Sequence, residues 1–147
     1  MGYNLAMPQP KFSIPVQVRS NDIDAWWHVS HVVFLNYLAH ARFSYYQAVG
    51  LLDLNSFRDF QLIMADIHIA YKGQIYFGQN ICVTACVSRI GNKSLQMDHL
   101  ILSEKDKSVL AESEAILVGY DFSQKMTIRI PDSYRQKISA FEGIEYY

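Results

Sequence analysis

"SHVVFLNYLAHARFSYYQAVG", residues 30–50, decides the fold. The spacing predicts a helix over 31–49. Its polar residues Asn36, His40, Ser44 and Gln47 are four, four and three positions apart, which places them on one narrow helical face. Nearly everything else is apolar, so the helix should be buried over most of its circumference. Ser30 stands where an N-cap belongs and Gly50 where a C-cap glycine belongs. A sheet curled around one central helix would bury such a surface. Arg42 breaks the pattern, because it lies far from the polar stripe. A charge there needs a partner or a route to water. Two readings stand: a carboxylate partner, with Asp22 as a candidate, or a stem that snorkels to solvent.

Outward from the helix, the periodicity changes to two. "KFSIPVQVRS" alternates Phe12, Ile14, Val16 and Val18 with polar residues, a strand signal in which Pro15 argues for an edge or an irregular start. Four strand candidates follow. In "LIMADIHIAY", Ile63, Ala65, Ile67, Ile69 and Tyr71 make one face, with Asp66 and His68 on the other. "QNICVTACVSRI" and "KSLQMDHLILS" are joined at a turn signal, Gly91-Asn92. "SVLAESEAILVGYD" comes after an "EKDK" turn, and Pro131 opens a short C-terminal helix at "PDSYRQKISAF". Short turns between consecutive strands imply an antiparallel meander. The expected class is α+β, helix and sheet in two layers, as a single domain over residues 1–147.

The chain has 147 residues, enough for one core, and is half hydrophobic, which argues against disorder. The net charge is −1 and no basic run occurs, so no nucleic-acid surface is expected. "MGYNLAMPQPKF" does not read as a secretory signal, and its sixth position lacks the Ser or Thr that myristoylation prefers. No apolar stretch is long enough for a transmembrane helix. Cys82 and Cys86 would lie about 13 Å apart on one face of a straight strand, too far for a disulfide. They read as small buried apolar residues in a reducing cytoplasm.

The chemistry-bearing stretch is "NDIDAWWHVSH", residues 21–31. Asp22, Asp24, His28 and His31 are all metal-ligand types, but no third helical ligand follows His28-x-x-His31 at a strong metal spacing. No metal and no other cofactor is expected. A carboxylate beside tryptophans and ahead of a helix N-terminus is suited to general-base or nucleophilic work. It is equally suited to holding the loop through local backbone hydrogen bonds, and on the residues alone this reading of Asp24 leads.

"VRSNDIDAWWHVSHVVFLNYLAHARFSYYQAVGL" resembles the hotdog-fold thioesterases of the 4-hydroxybenzoyl-CoA thioesterase-like family, whose pattern is roughly V-R-x-x-D-x-D-x-x-G-H-V-N-N followed by a helix closing in G-L. "IAYKGQIYFGQNICVTACVSRIGNKS" and "IRIPDSY" fit the family's later segments, so the resemblance spans roughly residues 12–141. It implies a hotdog fold, a sheet of about five antiparallel strands around one long helix. It implies hydrolysis of an acyl-CoA thioester, with Asp24 as nucleophile or base. His28 matches the family histidine, Phe34 its helix-start tyrosine, Arg42 its closing arginine and Gly78 its turn glycine. Active sites between two subunits are implied, hence a homodimer or homotetramer.

Three positions depart from the pattern. Trp27 stands where the family has glycine, Ser30-His31 where it has paired asparagines, and Gly73 lies near a missing proline. Trp27 and His31 are expected to line or narrow the pocket with His28, Phe34 and the "FQLIM" segment carrying Leu62 and Ile63. Lys72, Arg89 and Lys93 are candidates for nucleotide phosphates, against a plain reading as solvated charges. The rival within enzymes is a hotdog dehydratase or hydratase, which needs a histidine and a carboxylate from two separate elements. The rival from another class is a non-catalytic protein that binds acyl-CoA or acyl-carrier protein.

Overall fold

The computed structural model describes residues 10–146; the N-terminal residues on which the signal and myristoylation readings rest lie outside them. Strand β1 (Phe12–Gln17) precedes helix α1 (His31–Val49), and β2 (Leu62–Tyr71), β3 (Asn80–Ile90), β4 (Ser94–Ser103), β5 (Val109–Asp121), β6 (Met126–Thr127) and helix α2 (Asp132–Glu142) follow. The strands form one antiparallel sheet in the order β1-β3-β4-β5-β2, with β6 on β5. The sheet curls around α1. Along β4, Leu95, Met97, His99, Ile101 and Ser103 are buried in strict alternation, the inward face of the pleat. Leu38 and Ala41 of α1 are fully buried against that face. Among the described residues no helix is long and apolar enough to cross a membrane.

The meander is real for β3, β4 and β5, but β2 does not join it beside β3. It pairs with β5, at the far side of the sheet. Residues 72–79 therefore cross from one side of the sheet to the other, past the start of α1, with Ile75 fully buried on the way. Nothing in the alternation of a strand specifies which neighbour it takes, so short connections suggested the wrong one.

The face of β2 also differs from the simple alternation. A bulge between Met64 and Asp66 inserts one residue. Such an insertion reverses the inward phase. Before it Leu62 and Met64 turn inward; after it Ile67 and Ile69 do. Ile63 and Ala65 are exposed. A second bulge between Val87 and Arg89 likewise moves β3 from Val83, Ala85 and Val87 to Ile90.

Helix α1 spans the predicted residues and ends on Gly50 at φ 82°, whose N–H reaches Gln47 and Tyr46 carbonyls. Ser30 is the N-cap residue, but its hydroxyl makes no capping bond. Asn36, His40 and Gln47 are exposed as the spacing implies, and Val32 and Phe43 share that outer side. Asp22 is not the partner of Arg42. Its Oδ2 accepts from the Tyr37 hydroxyl at 2.7 Å and the Arg19 N–H at 2.8 Å, tying the loop down to α1. Cys82 and Cys86 are free thiols, half-buried rather than buried. Burial pushes the Cys86 thiol up to about 11.

The C-terminal segment completes the open side of β3. Strand β1 pairs with β3 only as far as Ala85. Beyond it, the Val87 N–H donates to Glu142 Oε1 at 3.1 Å and the Tyr146 hydroxyl donates to the Val87 carbonyl at 2.6 Å. Tyr45 of α1 donates to the same Glu142 oxygen at 2.6 Å. Side chains thus satisfy backbone groups that an adjacent strand would otherwise pair.

Gly119 of β5 lies under the returning chain, and a Cβ there would stand 2.5 Å from the Ile128 carbonyl oxygen. Backbone must move to admit it. Gly119→Ala is therefore expected to destabilise by about 2 kcal/mol, read as a lower denaturant midpoint with an unchanged slope. An unaltered midpoint would mean that segment 126–130 yields freely.

Candidate active site

Residues 22–30 form a tight excursion. An Ile23–Val29 bridge closes it, and a His28–Tyr76 bridge fastens it to the 72–79 crossing. The Val29 N–H donates to the Ile75 carbonyl at 2.8 Å and the Ser30 N–H to the Asp22 carbonyl at 2.9 Å. The loop is thereby held on a buried segment at the N-terminal end of α1.

Asp24 opens the turn. Its N–H donates to the His28 carbonyl at 2.8 Å, and its carbonyl accepts from the Trp27 N–H at 3.1 Å. Its Oδ1 accepts from the Trp26 N–H at 2.8 Å and, at a longer 3.4 Å, from the His28 N–H. This is the local loop-holding role expected of an aspartate ahead of a helix. It occupies one carboxylate oxygen. Oδ2 takes no hydrogen bond from the described residues, and Asp24 is exposed. The carboxylate is thus oriented through one oxygen, and the residue is open to solvent.

Trp27 adopts φ 64°, a left-handed conformation that glycine accepts and a bulky side chain resists. Its ring is 80% exposed, and that of Trp26 78%. The strained backbone thus projects a large aromatic surface beside Asp24. His28 lies edge-on to Tyr76 with ring centroids 5.0 Å apart. Phe34 is buried and stands edge-on to Tyr71 at 5.0 Å, with His31 on the same tyrosine at 6.5 Å. The Tyr71 hydroxyl donates to the His31 carbonyl at 2.9 Å.

Asp24, Trp27 and His28 therefore share one turn, and His31 and Phe34 gather on the adjoining Tyr71. Leu62 and Ile63 do not join them within one chain. They start the strand that Tyr71 ends, nine residues away, roughly 30 Å along an extended strand. Leu62 is buried in the core at that far end and Ile63 faces outward. Lys72 is at the near end, bonded through its N–H to the Leu110 carbonyl. Arg89 and Lys93 sit at the far end of the sheet, by the β3–β4 turn. Among the described residues, no three of His, Cys, Asp and Glu come together as a metal site.

Tyr71, Tyr76 and Arg19 were not singled out from the sequence. Tyr71 reads there only as the last residue of a strand. Tyr76 lies in a connection with no periodicity, and its one signal is the aromatic pair in "QIYFGQ". Arg19 lines a groove of ≈ 560 Å³ with residues 17–20 and 77–80. Gly78, at φ 82°, makes that groove's turn, where the Gln79 N–H donates to the Tyr76 carbonyl.

The model of the thioesterase-like superfamily matches residues 18–138. The chain is 23% identical over 129 residues to a chloroplastic acyl-acyl carrier protein thioesterase of Arabidopsis thaliana, covering 87% of this chain and 67% of that protein. It is 21% identical over 128 residues to the long-chain acyl-CoA thioesterase FadM of Escherichia coli, covering 84% and 93%. Its structure resembles that of a Thermus thermophilus thioesterase complexed with coenzyme A and Zn, with TM-score 0.79 and 26% identity over 90% of this chain and 94% of the other. A 1,4-dihydroxy-2-naphthoyl-CoA thioesterase from Synechocystis shares the fold at TM-score 0.80 and 17% identity, covering 89% and 97%.

Trp27→Gly is expected to stabilise the protein by about 0.5–1 kcal/mol, since removal of the Cβ clash outweighs the extra chain entropy of glycine. Thermal unfolding measures this. A lower melting temperature would show that the indole makes contacts worth more than the strain.

Proposed function

We propose a reaction from one premise: the chain belongs to the thioesterase-like superfamily. The reaction is hydrolysis of an acyl-CoA thioester to a carboxylic acid and CoA, with Asp24 as nucleophile or general base. The observation that carries this is the divided use of the Asp24 carboxylate. Backbone N–H groups orient Oδ1, and Oδ2 takes no hydrogen bond from the described residues. As a base, Oδ2 takes a proton from water as the hydroxide adds to the thioester carbon. The tetrahedral adduct then expels the thiolate, which takes up the proton. As a nucleophile, Oδ2 adds directly, the adduct expels the CoA thiolate to leave a mixed anhydride, and water cleaves that anhydride to the acid and the free Asp24 carboxylate, its proton going to the thiolate. In either case the developing oxyanion needs donors, and the first N–H groups of α1, which follows this turn in the chain, would supply them.

The working unit is a homodimer or a larger assembly built from it. Among the described residues strand β2 pairs with β5 on one side only, leaving a ten-residue edge. An open edge of that length is suited to pairing with a second copy. Antiparallel pairing of two β2 strands sets Leu62 and Ile63 of the partner subunit beside the Tyr71 end of this one. The two predicted pocket residues that are remote within one chain would then belong to the opposite active site. The thiol donor is CoA or an acyl-carrier protein; the named activities of the two curated relatives include both. Two free thiols suit a reducing, cytoplasmic setting.

A second reading has one observation in its favour. Trp27 sets an exposed indole in the turn that carries Asp24, where the resembled family carries glycine. That arrangement also suits a protein that binds acyl-CoA or acyl-carrier protein without turning it over.

Asp24→Asn keeps an oxygen for the Trp26 N–H and loses the base. Thiol release from a panel of short, medium, long and aromatic acyl-CoAs is expected to fall by about 10²–10⁴-fold, with the melting curve unchanged. Turnover equal to that of the native protein sinks the role of Asp24. Tight binding without turnover by the native protein favours the second reading.

A further inference from the structure

The open edge of the sheet carries none of the residues that usually blunt one. Edge strands are commonly protected by Pro, Lys or a covering segment. Strand β1, at the other side of the sheet, has Pro15. "LIMADIHIAY", the whole of β2, has no Pro, Lys or Arg. Its inward residues Met64, Ile67 and Ile69 are half-buried, whereas the inward residues of β4 are all buried. The apolar face of β2 thus stays partly open.

The outer face of β2 is polar at its centre. Asp66 and His68 are exposed there, on either side of Ile67 in sequence. Neither side chain makes a hydrogen bond or ion pair among the described residues. On the covered side, β5 sets Ile116 opposite Asp66, Glu114 opposite His68 and Glu112 opposite Ala70. Beyond Glu114 stands Asp98 of β4. A strand that complements the free side must therefore bring a cation to Asp66 and an anion to His68. The sequence of β2 run backwards does both. Turned antiparallel about Ile67, a second copy brings its His68 to Asp66 and its Asp66 to His68.

Neighbouring registers do worse. The inner face must run on across the pair, so residues of one face meet residues of the same face. The two-fold axis then falls on a residue, not between two. An axis on Asp66 sets aspartate opposite aspartate, and an axis on His68 sets histidine opposite histidine. Like charges directly opposite destabilise a strand pair, and unlike charges stabilise it. The bulge between Met64 and Asp66 fits the axis on Ile67. With Ala65 as the extra residue, Ile69 meets the partner's Met64 and Tyr71 meets the partner's Leu62, and all four share the inward phase.

We propose that β2 pairs with β2 of a second copy of this chain in the register centred on Ile67, with Asp66 of each protomer opposite the partner's His68. This register rests on the edge pairing proposed above and is independent of the chemistry at Asp24. It decides which partner residue reaches the candidate site: the partner's Leu62 comes to Tyr71, the ring on which Phe34 and His31 gather.

Charge reversal on separate chains reads the register. Asp66→Lys and His68→Glu chains, one of them mass-tagged, are unfolded together, refolded and counted as dimers by native mass spectrometry. Within either variant alone both cross-strand pairs are mismatched. In the mixed dimer a lysine faces a glutamate, and the other pair is native. Mixed dimers should make up about nine-tenths of the total, where indifferent pairing gives about one half. A mixed fraction of about one half overturns the register. So does a preference of Asp66→Lys for the native chain, which would set the two aspartates opposite each other. If a charge-reversed chain does not refold, Asp66→Asn and His68→Gln are gentler. Their effects on dimer dissociation should be non-additive by about fivefold, and additive effects overturn the proposal. A monomeric native protein overturns the edge pairing and this register together, while thiol release decides the role of Asp24 separately.

Discussion

Everything in this molecule depends on one burial: the inner face of a curled antiparallel sheet against the inner face of α1. A sheet that bends this far encloses a trough that only a helix of matching length and width can fill, because protein interiors close-pack. Leu38, Ala41 and Tyr45 fill it with no residual exposure, against Val83, Ala85, Met97 and Ile101. Bulges in β2 and β3 keep apolar residues turned inward where the strands bend. The helix is thus less a separate element than the core of the sheet, and its two ends define the two ends of the molecule.

That arrangement builds the candidate site at the N-terminal end. The chain must cross from β2 to β3 over the start of α1, and the crossing offers a buried strand-like segment around Ile75. The loop before α1 zips onto it through Val29 and His28. A nine-residue excursion that would otherwise wander is held from both sides, and the Asp22 carboxylate pins it a third time through Tyr37. Asp24 then needs little further support, and one of its oxygens supplies it. The loop-holding and chemical readings of this aspartate are therefore not rivals. The hydrogen bonds that hold the turn also orient the carboxylate.

The same helix shows two ways of handling polarity in a core. Tyr45 turns its hydroxyl to Glu142, which also takes the Val87 N–H, so every group in that set is satisfied within the chain. One position further on, Tyr46 is as deeply buried but interacts with Arg42, one turn earlier on the same helix, in place of a carboxylate. Neighbours on one helix thus settle their polar groups differently, one on a carboxylate from the C-terminal segment and one on a cation of the helix itself.

The helix, its C-terminal stop at Gly50 and the strands were legible in the sequence, because periods of 3.6 and 2 and left-handed glycines express interactions between near neighbours. The edge position of β1 was legible through Pro15, and the D-x-D loop through its residue types. Other features depend on pairings between distant parts of the chain. The place of β2 beside β5, the reversal of phase at Ala65 that turns Ile63 outward, and the bonding of Asp22 to Tyr37 instead of Arg42 are of this kind. So is the completion of β3 by Glu142 and Tyr146. Local sequence determined which segments would be helix or strand and which turn would carry the carboxylate. Only the tertiary structure decided which strand lies beside which, which face of each is buried and which charges meet. Those outcomes are set by the competition of whole surfaces for burial, and no stretch of a few residues contains it.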